Sequence, residues 1–163
     1  MFWFLETILY EGKVAGNRSL VMERKIESYE DLEVYQKLCE LHLEVNEMTF
    51  TFPKFELFEL GSQLRRSSNS APANIAEGWN NKHTNIYLEG INRAQGEIRE
   101  TKHHIKMAFK KRYIEEPRCK DLTSRYDECG RMLTGLENSL NSWKSMTKNH
   151  RLSPKTRNLK PIT

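Results

Sequence analysis

The sequence predicts an all-α fold, an antiparallel up-down-up-down four-helix bundle. Three observations carry the prediction. Four successive segments place apolar residues at helical spacing, and each is separated from the next by a short break. Proline, glycine, valine and isoleucine are all scarce, which disfavours a sheet. The last segment holds a heptad seam over three repeats, the pattern of a helix that packs along its whole length.

The first helix is expected from about Tyr29 to Thr49, entered through Ser28 with Asp31 three residues on, a capping-box-like pair. Val34, Tyr35, Leu38, Leu41, Val45 and Met48 share one side. Leu32, Cys39 and Leu43 form a second apolar line nearly opposite, which hints at self-association. Phe50 to Pro53 make the first turn. The second helix is expected from about Lys54 to Trp79, with Leu57, Leu60, Leu64, Ala71 and Ile75 inward and a kink at Pro72, where a backbone donor is missing. Gly78 and Asn80-Asn81 end it, and Thr84 can cap the third helix. That helix spans about Asn85 to Tyr113, with Tyr87, Ile91, Ala94, Ile98, Ile105 and Phe109 inward. Pro117 suits the first turn of the fourth helix, whose seam is Leu122, Tyr126, Cys129, Leu133, Leu136, Leu140 and Trp143. Long helices joined by short turns lie antiparallel, so a bundle is the economical arrangement.

Charge divides the chain into three parts: an N-terminal extension at 1–21 with little structure, the bundle at 22–146, and a flexible, disordered basic tail at 147–163. Residues 144–163 hold six cations and no acid, and residues 1–21 balance two against two. The total of +4 therefore leaves the body between them at −2. The N-terminal segment lacks the basic start and cleavage site of a signal peptide, and no apolar run approaches the roughly 20 residues of a membrane span. Cys39, Cys119 and Cys129 have neither CxxC spacing nor an even count, which fits a reducing cytoplasm better than a disulfide or metal framework.

Residues Leu60 to Gly78, LGSQLRRSSNSAPANIAEG, resemble the signature of the bacterial four-helix-bundle family encoded in 23S ribosomal RNA intervening sequences. Gln63, Arg66, Ser70, Pro72, Asn74, Ile75, Ala76, Glu77 and Gly78 carry the match. Tyr29 to Leu41, the Phe52-Pro53 pair, and Ala94, Gly96 and Glu100 extend it. Gln95 and Glu97 depart from the family pattern. The resemblance implies a cytoplasmic homopentamer without known enzymatic activity. It extends to accessory proteins of diversity-generating retroelements, which bind nucleic acid and a reverse transcriptase.

Candidate sites follow from the polar faces. Gln63, Arg66, Ser70, Asn74 and Glu77 share one arc of the second helix. They read either as a recognition ridge or, with alternating acids and bases, as a self-complementary subunit interface; the second reading is favoured. On the third helix Arg93, Gly96 and Glu100 lie away from the core stripe, and a helical glycine suggests close approach of another helix. Glu100 and His103 have the Glu-x-x-His spacing of carboxylate metal sites. No second copy of the motif occurs, and both residues point away from the core, so no metal or other cofactor is expected.

Lys106, Lys110, Lys111 and Arg112 make the end of the third helix basic, and Lys148, Arg151, Lys155 and Arg157 do the same for the tail. These are candidate nucleic-acid contacts. Residues 82–116 hold eight bases and five acids and residues 23–47 three and eight, so the alternatives are pairing between a basic third helix and an acidic first helix, or cations favoured near a helix C-terminus. No phosphate-binding loop, nucleophile elbow or small-molecule site is legible, and Ser67 and Ser68 read as packing residues. The function expected is a non-enzymatic oligomeric bundle that binds RNA. A scaffold for a protein partner, such as an accessory subunit to a nucleic-acid enzyme, is the alternative.

Overall fold

A computed structural model describes residues 26–79 and 83–152, with side chains through residue 146. Its helices are α1 (Glu33–Thr49), α2 (Leu60–Gly78), α3 (Thr84–Lys110) and α4 (Glu116–Leu152), and the described residues contain no strand. The short connections reverse direction each time. The helices pack in the pairs α1–α2, α2–α3, α3–α4 and α1–α4, which closes the four-helix bundle.

The Ser28–Asp31 pair caps as expected. Ser28 Oγ accepts from the Glu30 amide at 3.1 Å, and Asp31 Oδ2 accepts from the Ser28 amide at 2.9 Å. What it caps is a single 3-10 turn, Tyr29–Asp31. Leu32 then leaves the helical region at ψ 120° to bury its side chain, so α1 starts four residues later than expected.

The first connection is also longer than expected. Lys54–Leu57 form a second 3-10 turn and α2 begins only at Leu60. The cause is Glu56, an acidic residue that is only 2% exposed. Its carboxylate accepts from the Leu60 amide at 3.3 Å, from Lys111 Nζ at 2.5 Å and from the Tyr113 hydroxyl at 2.9 Å. The carboxylate thus caps α2 and ties it to the α3–α4 turn, where Tyr113 also packs on Phe52 with ring centres 5.4 Å apart.

From there α2 continues unbroken across a buried Pro72 to Gly78. Gly78 is the last helical residue, and its role is close packing. A Cβ built on Gly90 of α3 would stand 3.2 Å from the Gly78 Cα and 2.7 Å from the Asn74 carbonyl oxygen, so the two backbones touch. His83, not Thr84, stands at the N-cap of α3 and makes no side-chain cap bond.

The core contains the inward residues of all four helices, including every member of the α4 seam from Leu122 to Leu140. Four expected positions differ, Tyr35 and Trp143 being only half-buried. Phe109 is 39% exposed, and Thr101 and Ala108 take the inward places near it; Leu57 lies half-buried in its 3-10 turn. Of the second apolar line on α1, Leu32 turns into the core, Cys39 is half-buried, and only Leu43 points outward, at 61% exposure. Ser67 and Ser68 are buried packing residues. Ser67 Oγ receives a hydrogen bond from Thr101 of α3 at 2.9 Å, and Ser68 Oγ lies 2.9 Å from His42 Nδ1 of α1. Burial pushes the Cys129 thiol up to about 11, so it behaves as an apolar core group.

The alternative of charge pairing between α1 and α3 is corrected, because the charges of α1 that cross to another helix pair with α4. Glu44 takes Arg125 through both oxygens, at 2.5 and 3.0 Å, and Arg118 at 3.0 Å, while Lys37 reaches Glu128 at 2.5 Å. Lys102 of α3 pairs with Asp127 of α4. α4 supplies the partner charges on both of its flanks. It is helical to Leu152, six residues past the boundary at which the tail was expected to begin.

This arrangement sets the acid limit of the fold. The Lys111 ammonium holds the Glu56 carboxyl below its ordinary value of 4.5, and the Arg125 guanidinium does the same for Glu44. A depressed carboxyl contributes stability that is complete above about pH 4.5 and lost as pH falls through the folded-state value. The melting midpoint is therefore expected to drop below pH 4.5, with a shallower drop in Glu56→Gln. Melts across pH 7 to 3 check this, and parallel curves for the two proteins would contradict it.

Candidate subunit and nucleic-acid interface

Because α2 and α3 pack antiparallel, their outward polar faces join into one surface. Near the Gly78–Gly90 crossing, Asn74 and Glu77 of α2 meet Ile86, Glu89 and Arg93 of α3 around an open groove of about 210 Å³. Arg93 is paired with Glu89 at 2.5 Å, both more than half exposed, and the Asn74 amide donates to the Ser70 carbonyl at 2.8 Å. Further along, Arg66 acts on Glu97 across the two helices. The Glu97 carboxyl is raised by burial and by Glu100, with Arg66 opposing.

The expected interface residues therefore form two clusters on one face. Asn74, Glu77 and Arg93 make the groove; Arg66 and Glu100 flank Glu97; Gln63 is exposed beyond them. Gly96 is open, since a Cβ there would meet nothing nearer than the Arg99 guanidinium at 3.9 Å. Gln95 turns toward α4 and donates to Thr134 at 3.3 Å. Glu100 pairs with His104, not His103, at 3.5 Å. Among the described residues no three His, Cys, Asp or Glu side chains are placed to hold a metal ion.

The end of α3 is built differently. Arg112 has φ +62°, its amide donates to the Phe109 carbonyl at 2.9 Å, and the Tyr113 amide donates to the Ala108 carbonyl at 2.9 Å. This is a Schellman turn with arginine in the left-handed position that glycine normally fills, at a cost of roughly 1–2 kcal/mol. Lys106, Lys110 and Arg112 are exposed and make no ion pair among the described residues, whereas Lys111 is committed to Glu56. The side chains of Lys148 and Arg151, and all of Lys155 and Arg157, lie outside the described residues.

Sequence reasoning missed two features at this end. One is Glu56, which read as an ordinary helix residue. The other is a set of exposed aromatics: Phe50 at 65%, Phe55 at 67% and Phe58 at 84%. Arg65 of α2 stands over the Phe50 ring at 5.8 Å while donating to the Thr49 hydroxyl and the Leu57 carbonyl. The signal available was Phe-Glu-Leu-Phe after Pro53, where Phe55 and Phe58 fall away from the inward stripe of Leu57, Leu60 and Leu64.

The fold and surface define a helical-bundle protein whose polar α2–α3 face and basic α3 terminus are its outward features. A family model described as 23S rRNA-intervening sequence protein matches residues 30–135, and the chain belongs to that family. A crystal structure of a protein of unknown function from the S23 ribosomal protein family of Bacteroides thetaiotaomicron shares the fold. Its TM-score is 0.59 at 22% identity, over 64% of this chain and 95% of that one. No curated protein matches. No helix of the described residues is long and apolar enough to cross a membrane.

Proposed function

We propose that this chain is a non-enzymatic, self-associating cytoplasmic scaffold that binds RNA through the basic end of α3 and the basic residues after position 146. The observation that carries the reading is the contrast among cations. Lys37, Lys102, Arg118 and Arg125 are neutralised along the α4 seams, while Lys106, Lys110 and Arg112 stand without partners among the described residues. A strained Arg112 where glycine would fit better supports the same reading, since strain of that kind persists where a side chain is used. Self-association, as the pentamer of the family resemblance, uses the α2–α3 face, where Arg66, Glu77 and Glu100 offer both signs of charge and Gly96 leaves room for a neighbouring helix.

RNA titration of the full chain over a range of salt concentrations tests the proposal. Affinity is expected to fall steeply with salt, and deletion of residues 147–163 to flatten that slope. Arg112→Gly should raise the melting midpoint, by about 1 kcal/mol of added stability, and weaken RNA binding. Binding indifferent to salt, deletion and Arg112→Gly would refute the reading. The alternative, a scaffold for a protein partner, draws on the acidic balance of the body and predicts a partner retained after nuclease treatment.

A further inference from the structure

The exposed phenylalanines and the unpaired cations belong to different parts of the chain, and folding brings them to one end of the bundle. Residues 50–59 connect α1 to α2 and residues 111–115 connect α3 to α4. In an up-down-up-down bundle both connections lie at the same end. Three contacts fasten them together, Lys111 on Glu56 at 2.5 Å, the Tyr113 hydroxyl on Glu56 at 2.9 Å and the Tyr113 ring on Phe52 at 5.4 Å. Phe55 and Phe58 flank the buried Glu56, whose carboxylate fastens the Lys54–Leu57 turn to the α3–α4 connection.

Three phenylalanines exposed by 65 to 84% on one short segment cost hydration and return nothing to the core, so they are placed for a partner. The chemistry of that partner follows from the rim. Residues 50–65 and 106–115 carry six cations and three carboxylates, one of them Glu56, already neutralised by Lys111. The other two, Glu59 and Glu115, are exposed, and Glu47 lies one turn before Phe50. Lys54, Lys106, Lys110 and Arg112 make no ion pair among the described residues. Aromatic faces at the same end of the bundle as unpaired cations form a stacking platform for unpaired bases, with positive charge for the phosphates between them. A duplex hides its base faces and a protein partner has no call for so many free cations.

Resting on the RNA-binding reading above, we infer that this end of the bundle, with Phe55 and Phe58 at its centre, holds single-stranded RNA by base stacking. The phenylalanines supply affinity that salt does not screen, and Lys106, Lys110 and Arg112 supply the part that it does. Phe50, held by Arg65, extends the platform toward α1.

The test is fluorescence anisotropy of the full chain with a labelled short oligouridylate and with a duplex RNA of the same length. Phe55→Ala and Phe58→Ala are each expected to weaken single-strand binding about 10-fold or more, with the salt slope unchanged and duplex binding little altered. Phe58→Trp should retain affinity. Lys110→Ala and Arg112→Ala should each lower the salt slope by about one. Both residues are exposed, so circular dichroism of the variants should match that of the parent. If the parent binds RNA and both alanine variants bind it equally well, the stacking inference is overturned while RNA binding stands. If the parent binds no RNA, the broader proposal fails first. Alanine variants that sediment at lower mass with unchanged RNA affinity would make the aromatics a subunit contact and overturn the inference.

Discussion

Gly90→Val is expected to unfold the bundle at a markedly lower temperature, with a loss of about 3 kcal/mol. Any Cβ at position 90 would lie 2.7 Å from the Asn74 carbonyl oxygen and 3.2 Å from the Gly78 Cα. Both neighbours are backbone, and backbone inside a packed helix cannot swing aside as a side chain can. α3 would have to move away from α2, separating a helix pair whose backbones are in contact. Overpacking of this kind costs about 1–3 kcal/mol or more, and a β-branched residue recovers little of the roughly 1 kcal/mol that leaving glycine returns to a helix. Gly90→Ala keeps more of that return and should be milder. Gly96→Ala, where a Cβ has open space, should be neutral or slightly stabilising for the subunit. Thermal melts followed by circular dichroism check the set, and equal midpoints for Gly90→Val and the parent would contradict the close crossing.

Leu133→Ala is the second large effect, an expected loss of about 2–5 kcal/mol. Leu133 is fully buried midway along the α4 seam, between Cys129 and Leu136. Truncation removes its apolar burial and leaves a void bounded by helices that cannot close together independently. Leu43→Ala is the matched control, because the same side chain at 61% exposure should change stability by no more than about 0.5 kcal/mol. Denaturant unfolding midpoints for the two variants check the contrast. Similar losses in both would mean that Leu43 is buried in the assembled protein, which self-association through α1 would require.

The four helices were legible because their stripes are redundant. Leu38, Leu41 and Val45 on α1, or Leu122, Tyr126 and Cys129 on α4, point to the same side by spacing alone, and all are buried. The break after Pro53 was harder. Phe-Glu-Leu-Phe-Glu-Leu suits a helix as well as a turn, and what decides it is Glu56 meeting Lys111 and Tyr113, 55 and 57 residues away. A contact between such distant positions leaves no local periodicity.

The same limit explains the misassigned charge pairing. The acidic first helix and the basic third helix invite a match by composition, yet bundle order puts α4 beside both. Of the candidate sites, the polar arc of α2 was legible as a face, since Gln63, Arg66 and Glu77 are indeed exposed. The aromatic end was not, because its two halves are joined only by folding.

RNA is expected to meet the bundle at the end formed by residues 50–59 and 106–115. Ultraviolet crosslinking of the full chain to RNA in cells, with the attached peptides identified by mass spectrometry, tests it most directly. The expected adducts fall on Phe55, Phe58 and the residues around Lys110 and Arg112. Adducts confined to the outward face of α1 around Leu43, or a chain that recovers no RNA, would contradict it.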